Sequence, residues 1–263
     1  MIAEWTRERD VAVQAAKEAG RLLLEWRGRF TVSRKGVNDL VTEADRAAQD
    51  LVQKRLLRQY PDDGFLGEED PDGGAVPANG RRWIVDPLDG TTNYIHGFPM
   101  FCVSIALESA GELVAGVIYD PLADECFAAA RGAGAACNGK PLHGSAVASL
   151  DDALVSVGFP ADVNRSPRSL AAFQSMSRRG WALRRLGSAA LAAAYVAAGR
   201  IDAFFAHQVN SWDIAAGVVL TREAGGAATI LDGRTPYRAH ATEALLTNGL
   251  LHAALATELA GEV

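Results

Sequence analysis

The stretch Trp83-Ile-Val-Asp-Pro-Leu-Asp-Gly-Thr-Thr-Asn-Tyr94 sets two carboxylates three residues apart, directly after a short apolar run. Pro87 fixes φ and predicts a turn that opens at Asp86. Asp86 and Asp89 then occupy its two ends, with Cα atoms within about 7 Å and both carboxylates facing one point. Such a turn leaves the Leu88 carbonyl free for a hard cation, while Gly90, Thr91 and Thr92 open a helix whose amide hydrogens point at an anion. The chemistry expected is a divalent cation beside a phosphate. A plain surface turn also favours Asp, Pro and Gly, but it needs neither the apolar strand before nor the helix start after.

Two further acids are ambiguous on their own. Gly67-Glu68-Glu69 follows a helix and either brings another carboxylate to the same place or is a solvated loop. Asp213, in Asn210-Ser-Trp-Asp213, falls in the first turn of a helix with Ser211 as a cap, where the macrodipole stabilises it without any ligand. Lys35 is either a cation beside the site or a solvated loop residue. His207 lies near Asp213 in sequence, either touching substrate or serving as a polar loop residue. Gly132-Ala-Gly134 lacks the third glycine of a dinucleotide loop and reads as a turn.

The elements that must carry these residues follow from periodicity. Val11, Ala15, Ala19, Leu22 and Leu23 repeat at helical spacing and predict a first helix ending near Gly28. A loop through Lys35 and Gly36 leads to Thr42-Glu-Ala-Asp45, a capping-box start for a second helix that ends before Pro61. Residues 70–80 read as an exposed connection. Short apolar runs at 83–86, 101–107, 113–119 and 125–129 predict a largely antiparallel sheet packed on the two helices. Residues 1–145 thus form an α+β half that carries most of the acids. Residues 146–263 alternate strand and helix as an α/β half that supplies Asp213, with strands near 154–157, 183–186, 201–205, 227–230 and 244–247. Helices are expected at 168–179, 188–198 and 212–224 and in the tail.

Composition narrows the class of function. Hydrophobic residues make up 49% and charged residues 22% of the 263, as expected of a folded globular chain. With 26 basic and 32 acidic side chains the formal charge is −6, which gives no basic footprint for nucleic acid or an anionic membrane and points to a cation as ligand. The amino terminus lacks the apolar core of a secretory signal and no run of about 18 apolar residues occurs, so a cytoplasmic location is expected. Cys102, Cys126 and Cys137 form no C-x-x-C pair and read as small buried apolar residues.

Taken together, Gly67-Glu68-Glu69, Asp86-Pro87-Leu88-Asp89-Gly90-Thr91-Thr92-Asn93 and Trp212-Asp213 resemble, in order and spacing, the successive motifs of the inositol monophosphatase family. Asp39-Leu-Val-Thr-Glu-Ala-Asp45, Gly187-Ser-Ala-Ala190 and Glu223-Ala-Gly-Gly226 extend the resemblance over nearly the whole chain. It implies a layered αβαβα sandwich, a homodimer, and a magnesium-dependent, lithium-sensitive phosphatase with two or three Mg2+ per site. By the same resemblance Glu68, Asp86 and the Leu88 carbonyl hold a first ion, and Asp86, Asp89 and Asp213 a second. Glu68 and Thr91, the latter oriented by Asp45, position the attacking water. The Gly90 and Thr91 amides hold phosphate, and Asp213 orients the water that protonates the departing oxygen.

The substrate wall implied by the resemblance comprises Asp89, Gly187, Ser188, Ala189 and His207. Members that act on inositol phosphate carry a glutamate seven residues before the metal-binding aspartate, and here that position is Ala206. Loss of one hydroxyl acceptor weakens inositol selection, with His207 or Gln208 as substitutes, and leaves histidinol phosphate, fructose 1,6-bisphosphate, a nucleotide 3′-phosphate or a nicotinamide dinucleotide 2′-phosphate open. Some bacterial relatives also act as partners of the transcription machinery, a role independent of catalysis.

Overall fold

The computed structural model describes residues 4–36, 39–70, 74–160 and 162–261, the side chains of 34–41 and 165 excepted. The first helix, α1 (Thr6–Trp26), buries a stripe of Ala12, Ala15, Ala16, Ala19 and Leu23. Where a loop through Lys35 and Gly36 was expected, β1 (Val32–Gly36) pairs antiparallel with β2 (Asp39–Thr42). The second helix, α2 (Glu43–Gln59), starts on the expected capping box: Thr42 accepts from Ala44 N–H while Asp45 accepts from Thr42 N–H.

Seven strands then form one sheet in the order β3 (Gly64–Gly67), β4 (Arg81–Asp89), β5 (Cys102–Ser109), β6 (Glu112–Asp120), β7 (Glu125–Ala130), β8 (Gly134–Cys137), β9 (Lys140–Pro141). Only the β3–β4 pair is parallel. A short helix, α3 (Thr91–Ile95), leaves β4 directly. The second sheet has the order β11 (Ala182–Arg184), β10 (Leu154–Gly158), β12 (Ala203–Ala206), β14 (Ala244–Thr247), β13 (Ala227–Thr229). Its helices are α4 (Pro167–Arg178), α5 (Ala189–Ala197), α6 (Ser211–Glu223) and α7 (His252–Ala260).

Strand alternation sorts the side chains into five layers. Trp83 and Val85 face α1 and α2, whereas Ile84 between them faces α5 and α6. Phe204 and Leu246 cover the other side of α5 and α6, while Phe205 and Leu245 turn outward to α4 and α7. The result is an αβαβα sandwich. Its middle layer is apolar on both sides, which explains why α5 carries Ala at most of its positions. Small residues also set the depth of α6. A Cβ at Gly116 would come within 2.5 Å of the Ala216 carbonyl oxygen, and one at Gly217 within 2.2 Å of the Ala193 Cβ. Among the described residues no helix is long and apolar enough to cross a membrane.

Candidate metal and phosphate site

The expected turn at Asp86–Asp89 is instead a bulged strand. Asp86 pairs with Ser104 and Asp89 with Cys102, so Pro87 and Leu88 together oppose Val103 alone. Pro87 has no N–H to give the ladder, which favours the irregularity there. The extra residue matters for direction. In a regular strand residues i and i+3 point to opposite faces, but one inserted residue restores the phase, so Asp86 and Asp89 share a side. Asp86 closes the bulge by accepting from Leu88 N–H at 3.0 Å. The adjacency expected from sequence therefore holds by a different geometry.

Asp86 and Asp89 are 1% and 8% exposed. Asp89 lies at the amino end of α5. Its carboxylate accepts from the Ser188 hydroxyl at 2.5 Å and from Ala190 N–H at 2.8 Å, with Ala189 N–H at 3.3 Å and the Cys102 thiol at 3.7 Å. Asp213 stands at the start of α6, where it accepts from Asn210 N–H at 2.9 Å. Asn210 is the N-cap, in place of the expected Ser211, because Ser211 already has helical geometry. Glu68 follows β3, held by its N–H to the Val85 carbonyl at 3.2 Å.

Burial raises the pKa of the three aspartates, and neighbouring acids add to it at Asp86 and Asp213. Burial pushes Asp86 well above the usual carboxylate range, and the charges of Glu68, Asp89 and Asp213 push it further. Asp213 is raised by burial and then by Glu68 and Asp89. Asp89 is raised by burial despite its four donors. A concentration of buried like charge of this kind is what a divalent cation relieves. The donors are all oxygen, from Glu68, Asp86, Asp89, Asp213 and the Leu88 carbonyl, which suits Mg2+ better than zinc. Among the described residues, no three acidic, His or Cys side chains already stand close enough to ligate one ion. Asp89 is turned toward α5 and Asp213 toward Asn210, so coordination requires their oxygens to re-aim.

Beside the acids, Gly90 takes φ 92° and a Cβ there would meet the Met100 carbonyl oxygen at 2.6 Å, so only glycine lets β4 pass into α3. The Thr91 hydroxyl lies 3.1 Å from Asp45 Oδ1 and 3.0 Å from the Leu88 carbonyl. It has one proton for these two acceptors. Asp45 is buried, and burial raises its pKa against the opposing bonds from Thr42.

The remaining expected residues are placed differently. Ser188 and Ala189 contact Asp89 directly, and Gly187 (φ 75°) packs against Asn93, whose amide ties the Leu186 and Met100 carbonyls. His207 points to the outer layer: its Nδ1 is 3.2 Å from Ser169 Oγ, its ring packs on Phe205, and burial with the nearby Arg168 lowers its pKa to about 4. The Lys35 side chain lies outside the described residues. Two open surface clefts, about 740 Å³ between α1 and α2 and about 460 Å³ between α4 and α7, hold none of the clustered acids. Chemistry rather than concavity identifies the site.

Sequence reasoning missed Cys102, which it read only as a small buried residue, and it named Ser188 on the substrate wall and Glu223 in a motif without seeing what they hold. Cys102 lies under Asp89, with Ser188 Oγ 3.8 Å from its sulfur. Ser188 both holds Asp89 and caps α5 by accepting from Leu191 N–H. Glu223, at the far end of α6, accepts from Gly132 N–H at 2.9 Å and Gly134 N–H at 2.8 Å, so the Gly-Ala-Gly turn is a docking point for that helix. The Gly187-Ser-Ala-Ala and Glu-Ala-Gly-Gly motifs were the signals for Ser188 and Glu223, and nothing local marked Cys102.

Comparison with known proteins agrees with this geometry. The sequence profile of the inositol monophosphatase family matches residues 4–263. An inositol-1-monophosphatase of Mesorhizobium japonicum is 46% identical over 231 residues, 85% of either chain. Nus factor SuhB of Pseudomonas aeruginosa is 42% identical over 227 residues, 82% of this chain and 83% of that one. The crystal structure of extragenic suppressor protein suhB from Bartonella henselae superimposes with a TM-score of 0.88 at 39% identity, covering 97% of this chain and 98% of that one. With its motifs, its five layers and these matches, the chain belongs to the inositol monophosphatase family.

Proposed function

We propose that the chain is a magnesium-dependent phosphatase that hydrolyses a phosphate monoester of a small polyol or sugar. The observation that carries this reading is the gathering of Asp86, Asp89, Asp213 and Glu68 beside the first turn of α3, where burial and then the neighbouring acids raise the pKa of Asp86 and Asp213. Glu68, Asp86, Asp89, Asp213 and the Leu88 carbonyl would hold two or three Mg2+. Bound there, the ions would supply Lewis acidity, activating water and neutralising the departing oxygen.

The chain's own residues do the rest. With the Leu88 carbonyl turned to a cation, the Thr91 proton is left for Asp45, and a lone pair of Oγ1 faces an attacking water that Glu68 also orients. The first N–H groups of a helix have no intrahelical partner, so those of Gly90 and Thr91 receive phosphate oxygens. Asp213 orients the water that protonates the leaving oxygen. Ser188 and Ala189 serve the leaving-group side by holding Asp89, with Gly187 beside them. Ala206 offers no carboxylate to substrate hydroxyls, and His207 stands behind it.

The test is phosphate release from inositol 1-phosphate, histidinol phosphate, fructose 1,6-bisphosphate and 3′-phosphoadenosine compounds, with and without Mg2+ and with added Li+. Mg2+-dependent, Li+-inhibited release from at least one is expected, and none from any would overturn the reading. Gel filtration of the same preparation tests the homodimer we expect. The similarity to a Nus factor SuhB favours a second reading, a partner of the transcription machinery. The charge of −6 weighs against direct RNA contact, so that partner would be protein.

A further inference from the structure

A cleft of about 740 Å³ opens where the first turns of α1 meet the last turns of α2, within the range of about 300–1,000 Å³ typical of small-molecule sites. Three cations line it, Arg7 from α1 and Arg55 and Arg58 from α2, alongside the Gln14 and Gln59 amides. Its one acid, Asp10, is engaged by Arg9, whose guanidinium donates to it at 2.8 and 2.9 Å. Among the described residues no acidic side chain stands at ion-pair distance from Arg7 or Arg58. Arg55 has only an exposed pair with Glu18 at 3.5 Å, of a kind that contributes little. In a chain of formal charge −6 the lining is therefore net positive.

Helix stability does not account for these positions. Arg7 lies in the first turn of α1, where a cation opposes the helix dipole, and Trp5 before it gives no side-chain cap. Arg55 and Arg58 are neighbours at i and i+3 on α2, so their like charges repel. An excess of one charge that breaks local rules in this way is what a bound counter-charge relieves. The acid cluster does not account for them either. Arg55 stands ten residues along α2 from Asp45, about 15 Å away, and none of the clustered acids lines the cleft.

We propose that this cleft is a binding site for a short polyphosphate chain, whether inorganic or carried by a nucleotide, separate from the acid cluster. Arg55 and Arg58 are about 4.5 Å apart along the axis of α2, and Arg7 comes to the same cleft from the other helix. Each planar guanidinium fork takes phosphate oxygens in pairs, so three forks set apart in this way suit several linked phosphates better than one. Among the described residues no aromatic side chain lines the cleft, so a nucleotide there is held by its phosphates and not by its base.

Calorimetric titration with tripolyphosphate, ATP and orthophosphate, with Mg2+ in excess, tests this. Asp86→Asn removes the shared acid of the metal site, so it separates the two places where phosphate could bind. That variant should still bind tripolyphosphate and ATP with affinities within about threefold of each other, and about tenfold or more tightly than orthophosphate. Adding Arg7→Gln/Arg58→Gln to it should weaken both by about tenfold or more. On the wild-type background the same two changes replace exposed side chains and should leave the melting temperature and the phosphatase kinetics unchanged, which is checked alongside. Tripolyphosphate binding that is lost in Asp86→Asn, or that survives Arg7→Gln/Arg58→Gln in that background, overturns the proposal. So does no tripolyphosphate binding up to about 1 mM, or ATP binding without it. A hexaglutamate peptide bound more tightly than tripolyphosphate would assign the cleft to a protein and overturn it as well. The readout is binding, so the result stands apart from whether the phosphatase reading holds.

Discussion

Replacing Ser188 by alanine removes two bonds at once. The hydroxyl donates to Asp89 Oδ2 at 2.5 Å and accepts from Leu191 N–H at 3.2 Å as the cap of α5. Loss of a helix cap costs about 1 kcal/mol. A bond to an ionised carboxylate contributes about 1.5–3 kcal/mol. Ala190 N–H at 2.8 Å and the Cys102 thiol remain, so part of the second contribution is retained. A net loss of about 2–3 kcal/mol lowers the melting temperature of a chain of this size by about 5–10 °C. Asp89 also loses the partner that aims it, so the Mg2+ concentration for half-maximal phosphatase activity should rise about tenfold, a change of about 1.4 kcal/mol. Calorimetric melting and a Mg2+ titration of phosphate release read both effects. Ser188→Thr keeps the hydroxyl and should restore most of each. If Ser188→Ala melts within about a degree of wild type and needs no more Mg2+, the linkage of α5 to Asp89 has no energetic weight and the reasoning fails.

Two further predictions concern charge. Asp86→Asn removes the acid on which burial and three neighbouring carboxylates converge, so the metal-free variant should melt higher than metal-free wild type while losing Mg2+-induced stabilisation. Its phosphatase rate should fall by more than the roughly 10- to 100-fold typical of outer-shell changes, and near-normal turnover would refute the assignment. His207 is held neutral, with its pKa down at about 4 from 6.5, so its contribution to stability is complete above pH 6.5 and is lost as pH falls toward 4. Between pH 7.5 and 5 this amounts to about 2 kcal/mol in urea denaturation. His207→Gln should flatten that dependence, with the remainder from His252, also lowered by burial. An unchanged pH slope would show that His207 is solvated.

What could be read from the sequence was what is encoded locally. The capping box at Thr42 and Asp45, the helix start at Asp213 and the apolar runs of the large sheet each involve residues a few positions apart, and they appeared where expected. The bulge could not be read, because a turn and a bulge share Pro87 and its acids, and only the pairing with Val103 separates them. Asn210 and Ser211 are both good caps, and the choice depends on where β12 releases the chain. Asp89 meets Ser188 across 99 residues, so no local pattern announces it. His207 seemed near Asp213 by position alone. Alternation along the chain after β12 turns it with Phe205 toward α4, away from the layer that carries the acids.

The packing of α6 ties remote positions to the metal ligands. It carries Asp213 near one tip and Glu223 at the other, ten residues and about 15 Å apart. Glu223 clamps one tip to the Gly132–Gly134 turn, and Gly116 acts as a fulcrum where the sheet touches the helix backbone. The helix therefore behaves as a stiff lever: a methyl group added at residue 116, or a slackened clamp at 223, would be transmitted as a displacement of a carboxylate that neither residue touches.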